Sequence, residues 1–350
     1  MPEITETELK RRISRSELTG LYFLYGEEKY LVSYYTGRIA GKTGGRRYPD
    51  FNLQKFDGGA AGAERIAEAA LALPFFSERK CVVVSDPDAG AMKAGEAKKW
   101  EEMLASLPET TVLVVSLPNL EADGKRDRNW KKFIDLMKRS GNAVRLGRRT
   151  AEQLRRLLCS GAEKRGCTLS RVNADRLVSC CGADLHTLLG ELEKLCAFAA
   201  GGEITAQIID RLTVKNLEAR VFDLSKAVLS GSGDRAYTIL NLLLDQGEEP
   251  VAILSVLSSA YLDLYRVRVS VQSGFDATEP AKHFDYARKE FRLRNAARDI
   301  GKYPSGMFRE SLGALLAADL ALKGARGDRR TVLEKLIARL LILAERGKTA

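Results

Sequence analysis

The feature that most constrains the fold is an alternation of strand-like and helix-like segments that ends near residue 146. Short β-rich apolar runs alternate with segments of helical periodicity up to that point, and the strand-like runs stop after Arg148-Arg149-Thr150. Alternation of this kind predicts a parallel sheet with helices on both faces. We therefore predict an α/β domain at residues 1–146, followed by two all-α domains at 147–212 and 213–350.

Five strands and four helices are predicted in the first domain. The predicted strands cover residues 21–25, 51–56, 81–85, 111–116 and 143–146. The predicted helices cover 28–39, 63–73, 94–106 and 130–138, and Gly41 is predicted to stop the first of them. In the second domain, Thr150-Ala-Glu-Gln153 predicts a capping box that opens a helix.

Composition places the chain among globular proteins of more than one domain. With 350 residues it is longer than one ordinary core supports. No apolar run approaches the roughly 18–20 residues that span a bilayer, so we expect no membrane partner. The six cysteines are irregularly spaced, which fits reduced thiols and a cytoplasmic location. The formal charge is +10, and residues 213–350 carry half of it, with 22 basic against 17 acidic residues.

Residues 26–33 have the position of a phosphate-binding loop but lack its chemistry. The first predicted strand runs into Gly26, and a helix follows. A phosphate-binding loop needs the pattern GxxxxGK followed by Ser or Thr, so that backbone N–H groups and a lysine hold the phosphates. Gly26 and Ser33 match, whereas Leu31 replaces the second glycine and Val32 replaces the lysine. The pattern predicts a degenerate nucleotide loop.

The other positions that an ATPase needs are also incomplete. Asp86 follows the strand at 81–85, where an ATPase carries its magnesium-binding aspartate, but Pro87 stands where the catalytic glutamate belongs. The chain has only two histidines and no CxxC pair, so no metal site is predicted. We therefore expect no catalytic residues and no cofactor.

The segment Leu73-Pro74-Phe75-Phe76-Ser77 lies between a predicted helix and a predicted strand. Pro74 disfavours helical geometry at Leu73, so the helix is expected to end there. The two phenylalanines have two interpretations: core aromatics that cap the sheet, or a surface wedge that anchors a partner protein. The corner alone favours the core.

Three basic residues near the C-terminal end have helical spacing. Arg294, Arg298 and Lys302 are four residues apart and would line one face of a continuous helix. Contact with DNA phosphates is one interpretation, given the basic excess of residues 213–350. An ordinary solvated face is the other.

Taken together, ordered fragments of the chain resemble the delta subunit family of the bacterial DNA polymerase III clamp loader. The matching fragments are Leu24-Tyr-Gly-Glu-Glu28, Leu73-Pro-Phe-Phe-Ser-Glu-Arg79, Val82-Val-Val84, Glu191-Leu-Glu-Lys-Leu195, Arg220-Val-Phe-Asp-Leu-Ser225 and Asp319-Leu-Ala-Leu-Lys-Gly324. Each fragment is weak by itself, and their order and spacing carry the resemblance along nearly the whole chain.

The resemblance implies an AAA+-like fold with a nucleotide-binding-type domain, a small helical lid and a helical collar. It implies a protein that binds the sliding clamp (the beta subunit) and opens its ring without hydrolysing ATP. The clamp-binding element falls on Leu73, Pro74, Phe75 and Phe76, which reverses the preference for the core. The implied partners are the gamma or tau and delta-prime subunits in a pentamer, and primer–template DNA through the assembled complex. Polymerase chemistry then belongs to other subunits of the holoenzyme.

Two alternative functions are kept beside this one. The first is an active P-loop ATPase, which the valine at position 32 opposes. The second is a free-standing DNA-binding protein that uses the basic helical half of the chain. Sequence-specific binding by the isolated chain would support this second alternative, because specific recognition requires contacts to bases as well as to phosphates.

Overall fold

The structure, a computed structural model, describes residues 3–44, 48–122, 127–286, 290–301, 303–324 and 328–349. The chain divides into two compact units, Met1–Arg149 and Thr150–Ala350. Within the described ranges, no helix is both long enough and apolar enough to cross a membrane.

The first unit is built from five strands and six helices among its described residues. In chain order they are α1 (Glu6–Arg15), β1 (Gly20–Tyr25), α2 (Lys29–Thr43), α3 (Pro49–Asn52), β2 (Leu53–Asp57), α4 (Ala63–Leu71), β3 (Lys80–Ser85), α5 (Ala94–Ala105), β4 (Thr111–Ser116), α6 (Arg128–Ser140) and β5 (Asn142–Arg145). The strands form one parallel sheet in the order β2-β3-β4-β1-β5. The predicted α/β class is confirmed.

Helices cover both faces of this sheet. On one face, Phe23 of β1 packs with Trp100 of α5 and Phe133 of α6, and the three side chains are almost fully buried. On the other face, α2 packs against β1, β3 and β4, and α1 packs against α2. The central strands are therefore continuous apolar runs such as Val82-Val83-Val84, which is typical of a parallel sheet buried on both sides.

Several predicted boundaries in this unit were wrong. The N-terminal helix α1 was not predicted, because the segment is strongly polar and has only two apolar residues, the buried Leu9 and Ile13. Helix α2 continues past Gly41 to Thr43. The predicted strand 51–56 begins only at Leu53, because Pro49 opens the short helix α3.

The second unit is helical, as predicted. Its elements are α7 (Ala151–Glu163), α8 (Arg171–Cys181), α9 (Leu185–Ala199), α10 (Ala206–Leu212), α11 (Leu217–Ser230), α12 (Gly233–Asp245), α13 (Pro250–Gln272), a 3-10 helix (Glu279–Lys282), α14 (Glu290–Asp299), α15 (Ser305–Gly324) and α16 (Arg329–Thr349). The predicted capping box is confirmed: the hydroxyl of Thr150 accepts from the backbone N–H of Gln153, and the Gln153 side chain accepts from the N–H of Thr150.

Two groups of helices pack within this unit. Helices α7 to α10 pack against one another, with leucines such as Leu158, Leu177 and Leu192 fully buried. A larger core, formed by residues between Val221 and Ala344, joins α11 to α16. The proposed boundary between a lid at 147–212 and a collar at 213–350 stays a prediction.

Candidate functional site

The chain between α4 and β3 forms an eight-residue corner, 72–79. Helix α4 ends at Leu71, two residues earlier than predicted, and Ala72 already has extended backbone angles (φ −65°, ψ 150°). Pro74 disfavours helical geometry at the preceding residue, which agrees with this early end. The corner thus leaves the helix abruptly and carries its apolar side chains outside regular secondary structure.

Leu73, Phe75 and Phe76 are exposed at this corner rather than packed in the sheet core. These three residues are 79%, 44% and 80% exposed, respectively. Phe76 also has a left-handed backbone conformation, with φ +42°. This conformation costs an L-residue about 1–2 kcal/mol, so the surrounding contacts must hold it in place. Pro74 is half-buried.

Side-chain hydrogen bonds attach the chain to neighbouring segments before and at the end of the corner. Before it, the Thr111 hydroxyl donates to the carbonyl oxygen of Ala70, at 2.9 Å. After it, Nη1 of Arg79 donates to the carbonyl oxygen of Leu18, at 2.8 Å. The exposed residues therefore lie between two hydrogen-bonded positions, Ala70 and Arg79.

Asn52, at the end of α3, binds the middle of the corner. Its Oδ1 accepts from the backbone N–H of Phe75, and its Nδ2 donates to the carbonyl oxygen of Phe75, each at 2.8 Å. The same Nδ2 donates to the carbonyl oxygen of Tyr48, at 3.1 Å. Asn52 is fully buried, so these bonds are shielded from water.

Two further aromatic rings extend the exposed surface. Phe51 and Phe75 have ring centroids 4.7 Å apart, Tyr48 lies edge-on to Phe75 at 5.8 Å, and Phe75 lies edge-on to Phe76 at 4.7 Å. We call Tyr48, Phe51, Phe75 and Phe76 the aromatic cluster. The first two were not predicted as site residues: Phe51 was expected in a strand, although Pro49 signals a helix start at this point.

The degenerate nucleotide loop is short and closed. Only Gly26, Glu27 and Glu28 separate β1 from α2. Gly26 has φ +137°, and a Cβ atom there would lie 2.2 Å from the carbonyl oxygen of Leu146. That oxygen accepts from the backbone N–H of Glu28, at 3.0 Å. The backbone that would hold a phosphate in an ATPase is thus packed against the residue after β5.

The residues that replace the phosphate-binding glycine and lysine belong to the core. Leu31 and Val32 lie in the first turn of α2, where they are 5% and 0% exposed, and the N–H of Val32 donates to the carbonyl oxygen of Glu28. Ser33 is exposed. These positions therefore offer neither a glycine nor a cation to a triphosphate.

The charged groups near this loop bind the segment that follows β4. The Lys29 ammonium donates to the carbonyl oxygens of Leu117 and Leu120, and burial lowers the pKa of this lysine. The carboxylate of Asp86 accepts from the side chain and N–H of Asn119 and from the N–H of Leu120, at 2.7 to 3.0 Å. The aspartate that would bind magnesium in an ATPase has a structural role here.

The basic residues Arg294 and Arg298 lie one turn apart on α14 and are both exposed. Arg294 is 3.9 Å from the carboxylate of Glu290, and Arg298 donates to the side chain of Asn295. Helix α14 ends at Asp299, so the predicted run does not continue to Lys302, which lies outside the described residues. The first two residues of the predicted basic face thus lie on one exposed side of α14.

Comparison with known proteins gives matches to the same protein family in both units. The family model described as DNA polymerase III, delta subunit matches residues 22–145, and the model of the C-terminal domain of the same subunit matches residues 218–340. The DNA polymerase III subunit delta of Bacillus subtilis is 24% identical over 341 residues, which cover 95% of each chain. A protein of Aquifex aeolicus named "Probable DNA polymerase III subunit delta" is 24% identical over 264 residues, 73% of each chain.

A solved structure has the same fold. It is that of the DNA clamp loader delta protein of Bacillus subtilis, with a TM-score of 0.59 at 23% identity over 96% of this chain and 99% of that chain. Both domain models name one subunit, and the first of them includes the corner and the closed loop. The chain belongs to the family of the DNA polymerase III delta subunit.

Proposed function

We propose that this chain is a clamp-opening subunit that binds the sliding clamp through the corner at residues 73–76. The observation that carries the proposal is the pair Phe75 and Phe76, exposed on a corner whose backbone is hydrogen-bonded to the buried Asn52. An exposed aromatic pair of this kind is a typical anchor for a partner protein. The solved relative is itself called a DNA clamp loader protein, which supports a clamp as the partner.

Insertion of the two rings into an apolar pocket of the clamp would supply most of the affinity. Truncation of such an anchor typically costs about 2–4 kcal/mol. Binding can open the ring only if the chain has a higher affinity for the open interface than for the closed one. The proposed function therefore consists of binding that favours one state of the partner, with no chemical step.

We further propose that the chain hydrolyses no ATP by itself. The buried Val32, the closed loop at Gly26 and the engaged Asp86 support this. The same three observations argue against the alternative of an active P-loop ATPase. A chain of this kind would receive the ATP signal from neighbouring subunits that do bind nucleotide.

The proposed partners beyond the clamp are the gamma or tau and delta-prime subunits, in a pentamer joined through residues 213–350. Leu316 and Leu320 support this role, because they lie one turn apart on α15 and are 61% and 64% exposed. We assign contact with primer–template phosphates to Arg294 and Arg298 within the assembled complex. Binding of specific DNA sequences by the isolated chain would instead favour the alternative of a DNA-binding protein.

The decisive experiment is calorimetric titration of the full chain with the sliding clamp of the same organism, without nucleotide. The Phe75→Ala/Phe76→Ala variant is compared with a control, Phe198→Ala, which truncates a phenylalanine that is 53% exposed on α9. We expect the wild type and the control to bind alike and the double variant to lose at least about thirtyfold in affinity.

Each other outcome has a definite meaning. If the wild type does not bind the clamp, the proposed function is wrong. If the double variant stays folded and binds as the wild type does, the function stands and the corner is not the binding site.

A further inference from the structure

We infer that Asn52 is the positioning residue that holds Phe75 and Phe76 in their binding geometry, and that Phe51 belongs to the same contact surface. This inference rests on the proposed clamp-binding function. Asn52 lies 23 residues before Phe75 in the chain and on a different element, the short helix α3. Its side chain makes hydrogen bonds that join this helix to the corner.

The amide of Asn52 uses three of its four hydrogen-bonding positions on backbone groups. It pairs with both the N–H and the carbonyl oxygen of Phe75, as a neighbouring strand would, and it also binds the carbonyl oxygen of Tyr48. One buried side chain therefore binds the backbone of two members of the aromatic cluster, Tyr48 and Phe75. A residue of another type at this position would leave part of this set of donors and acceptors unmatched.

The rings of the aromatic cluster follow from this backbone link. Phe51 precedes Asn52, is 59% exposed and contacts the ring of Phe75, with 4.7 Å between centroids and 32° between planes. Phe75 in turn contacts Phe76, whose left-handed backbone conformation is unfavourable without support. A partner that receives Phe75 and Phe76 would therefore also meet the exposed part of Phe51.

Positioning of this kind raises affinity by keeping the binding-competent conformation populated before the partner arrives. The apparent dissociation constant increases in inverse proportion to the competent fraction. Loss of the Asn52 amide frees the Phe75 backbone to bind water and lets the corner sample other conformations. We expect clamp binding to weaken about tenfold in Asn52→Ala.

The matched control is Asn142→Ala at the start of β5. Asn142 also lies in the first unit and also makes side-chain hydrogen bonds, to Arg12 and to the carbonyl oxygen of Leu21. Both variants are expected to lose some thermal stability, and only Asn52→Ala is expected to lose affinity for the clamp. Phe51→Ala is expected to lose affinity severalfold, whereas Phe198→Ala is not.

A spectroscopic measurement separates positioning from general destabilisation. The full chain is labelled with fluorophenylalanine, and the fluorine resonance of Phe76 is assigned by its absence from Phe76→Ala. We expect a resolved resonance in the wild type and in Asn142→Ala. In Asn52→Ala the resonance should move toward the position of an unfolded chain, while the resonances of phenylalanines outside the aromatic cluster stay in place.

Asn52→Asp gives a second, pH-dependent test with an almost unchanged shape. The ionised aspartate cannot donate, and one of its oxygens faces the carbonyl oxygens that Asn52 binds. Protonation restores a donor, and burial beside carbonyl oxygens favours the protonated form. Affinity of this variant relative to the wild type should therefore recover as the pH falls from about 8 to about 5.5.

The outcomes distinguish this inference from the proposed function. If Phe75→Ala/Phe76→Ala loses binding but Asn52→Ala binds as the wild type does, the inference is wrong and the proposed function stands. The positioning role is equally overturned if Asn52→Ala weakens binding without moving the Phe76 resonance, or if Asn52→Asp shows no recovery at low pH. No binding by the wild type would remove the proposed function and the inference with it.

Discussion

At the scale of single residues, positions that bind nucleotide in an ATPase carry side chains with packing or structural roles here. Val32 stands at the lysine position of a phosphate-binding loop and is completely buried, whereas the next residue, Ser33, is exposed. Asp86 keeps its carboxylate but uses it on Asn119 and Leu120. We therefore expect that no single substitution creates a phosphate-binding loop here, because the loop backbone is packed against Leu146.

The first prediction concerns Val32→Lys, the substitution that would rebuild the lysine of the motif. Burial of an unpaired ammonium in this apolar position should lower the free energy of unfolding by on the order of 3 kcal/mol or more. Ser33→Lys, at the exposed neighbouring position, should change it by less than about 0.5 kcal/mol. Urea unfolding of both variants measures this, and detectable ATP binding by Val32→Lys would contradict the interpretation of the loop.

At the scale of elements, individual side chains join different helices through contacts that the periodicity of each helix does not predict. Glu6 on α1 accepts from the hydroxyl of Tyr35 on α2 at 2.6 Å and from Arg149 at 2.6 Å. Burial by itself would raise the pKa of Glu6, but the hydrogen bonds from Arg149, Tyr35 and Lys10 outweigh it and hold the pKa below its ordinary value of 4.5. Helix α1, which was not predicted, is thus held by the ionised carboxylate of Glu6 and its bonds to Tyr35 and Arg149.

The second prediction follows from the sign of this shift. A carboxylate whose pKa is lowered by folding contributes stability above its unfolded pKa and loses it as the pH falls through the folded value. The free energy of unfolding of Glu6→Gln should be lower than that of the wild type at neutral pH, and the difference should shrink below about pH 4.5. Urea titrations at several pH values measure this. Glu64→Gln, at an exposed carboxylate, is the control, and an unchanged difference at low pH would contradict the prediction.

Asp263 has a comparable linking role in the second unit. It is 3% exposed on α13 and accepts from the hydroxyl of Tyr286 at 2.5 Å and from Nε of Arg292 on α14 at 2.7 Å. The guanidinium of Arg266 donates to the same Tyr286 hydroxyl, at 3.0 Å. This network holds the helix that carries Arg294 and Arg298 against the core of the unit.

The third prediction is that Asp263→Ala costs about 3–5 kcal/mol, because it leaves a partly buried arginine without its carboxylate. Asp319→Ala, which breaks an exposed pair with Lys323 on α15, should cost less than about 1 kcal/mol. Denaturant unfolding compares the two variants. Amide hydrogen exchange should also become faster in α14 of the first variant, and unchanged exchange there would show that the network does not hold this helix.

At the scale of the whole molecule, a nucleotide-binding-type domain whose phosphate-binding positions carry packing residues is joined to a helical unit with a basic excess. The chain's affinity for a clamp should then depend on its own surface and not on ATP. This is the point at which the proposed function differs most from that of an ATPase on the same scaffold. The difference can be measured on the isolated chain.

The fourth prediction is that addition of ATP and magnesium leaves the dissociation constant of the chain and the clamp unchanged within about twofold. Val32 is buried and the loop at Gly26 is closed, so we expect no nucleotide site that could be coupled to the corner. Two sites affect each other only through a difference in binding free energy. Calorimetry with and without ATP measures this, and the same titration without clamp measures direct ATP binding. A clear shift in affinity would indicate a nucleotide site that Val32 has not abolished.

The sequence was sufficient for the fold class, because strand and helix periods are local properties of the chain. The runs at 81–85 and 111–116 appear in β3 and β4 almost as predicted, and the capping box at Thr150 forms. The mismatch of the loop to the phosphate-binding pattern is also a local property, since it depends on residue identity at Leu31 and Val32. Contacts between distant segments leave no such local signal.

The aromatic cluster shows what only tertiary structure decides. The sequence identified Phe75 and Phe76 as an apolar pair at a corner, but their exposure depends on what packs beside them. The carbonyl and N–H groups of Phe75 are held by Asn52, which lies 23 residues earlier and which no periodicity marks. Periodicity reports which face of an element is apolar. The hydrogen bonds that turn two apolar residues into a fixed surface form only when the folded chain brings separate segments together.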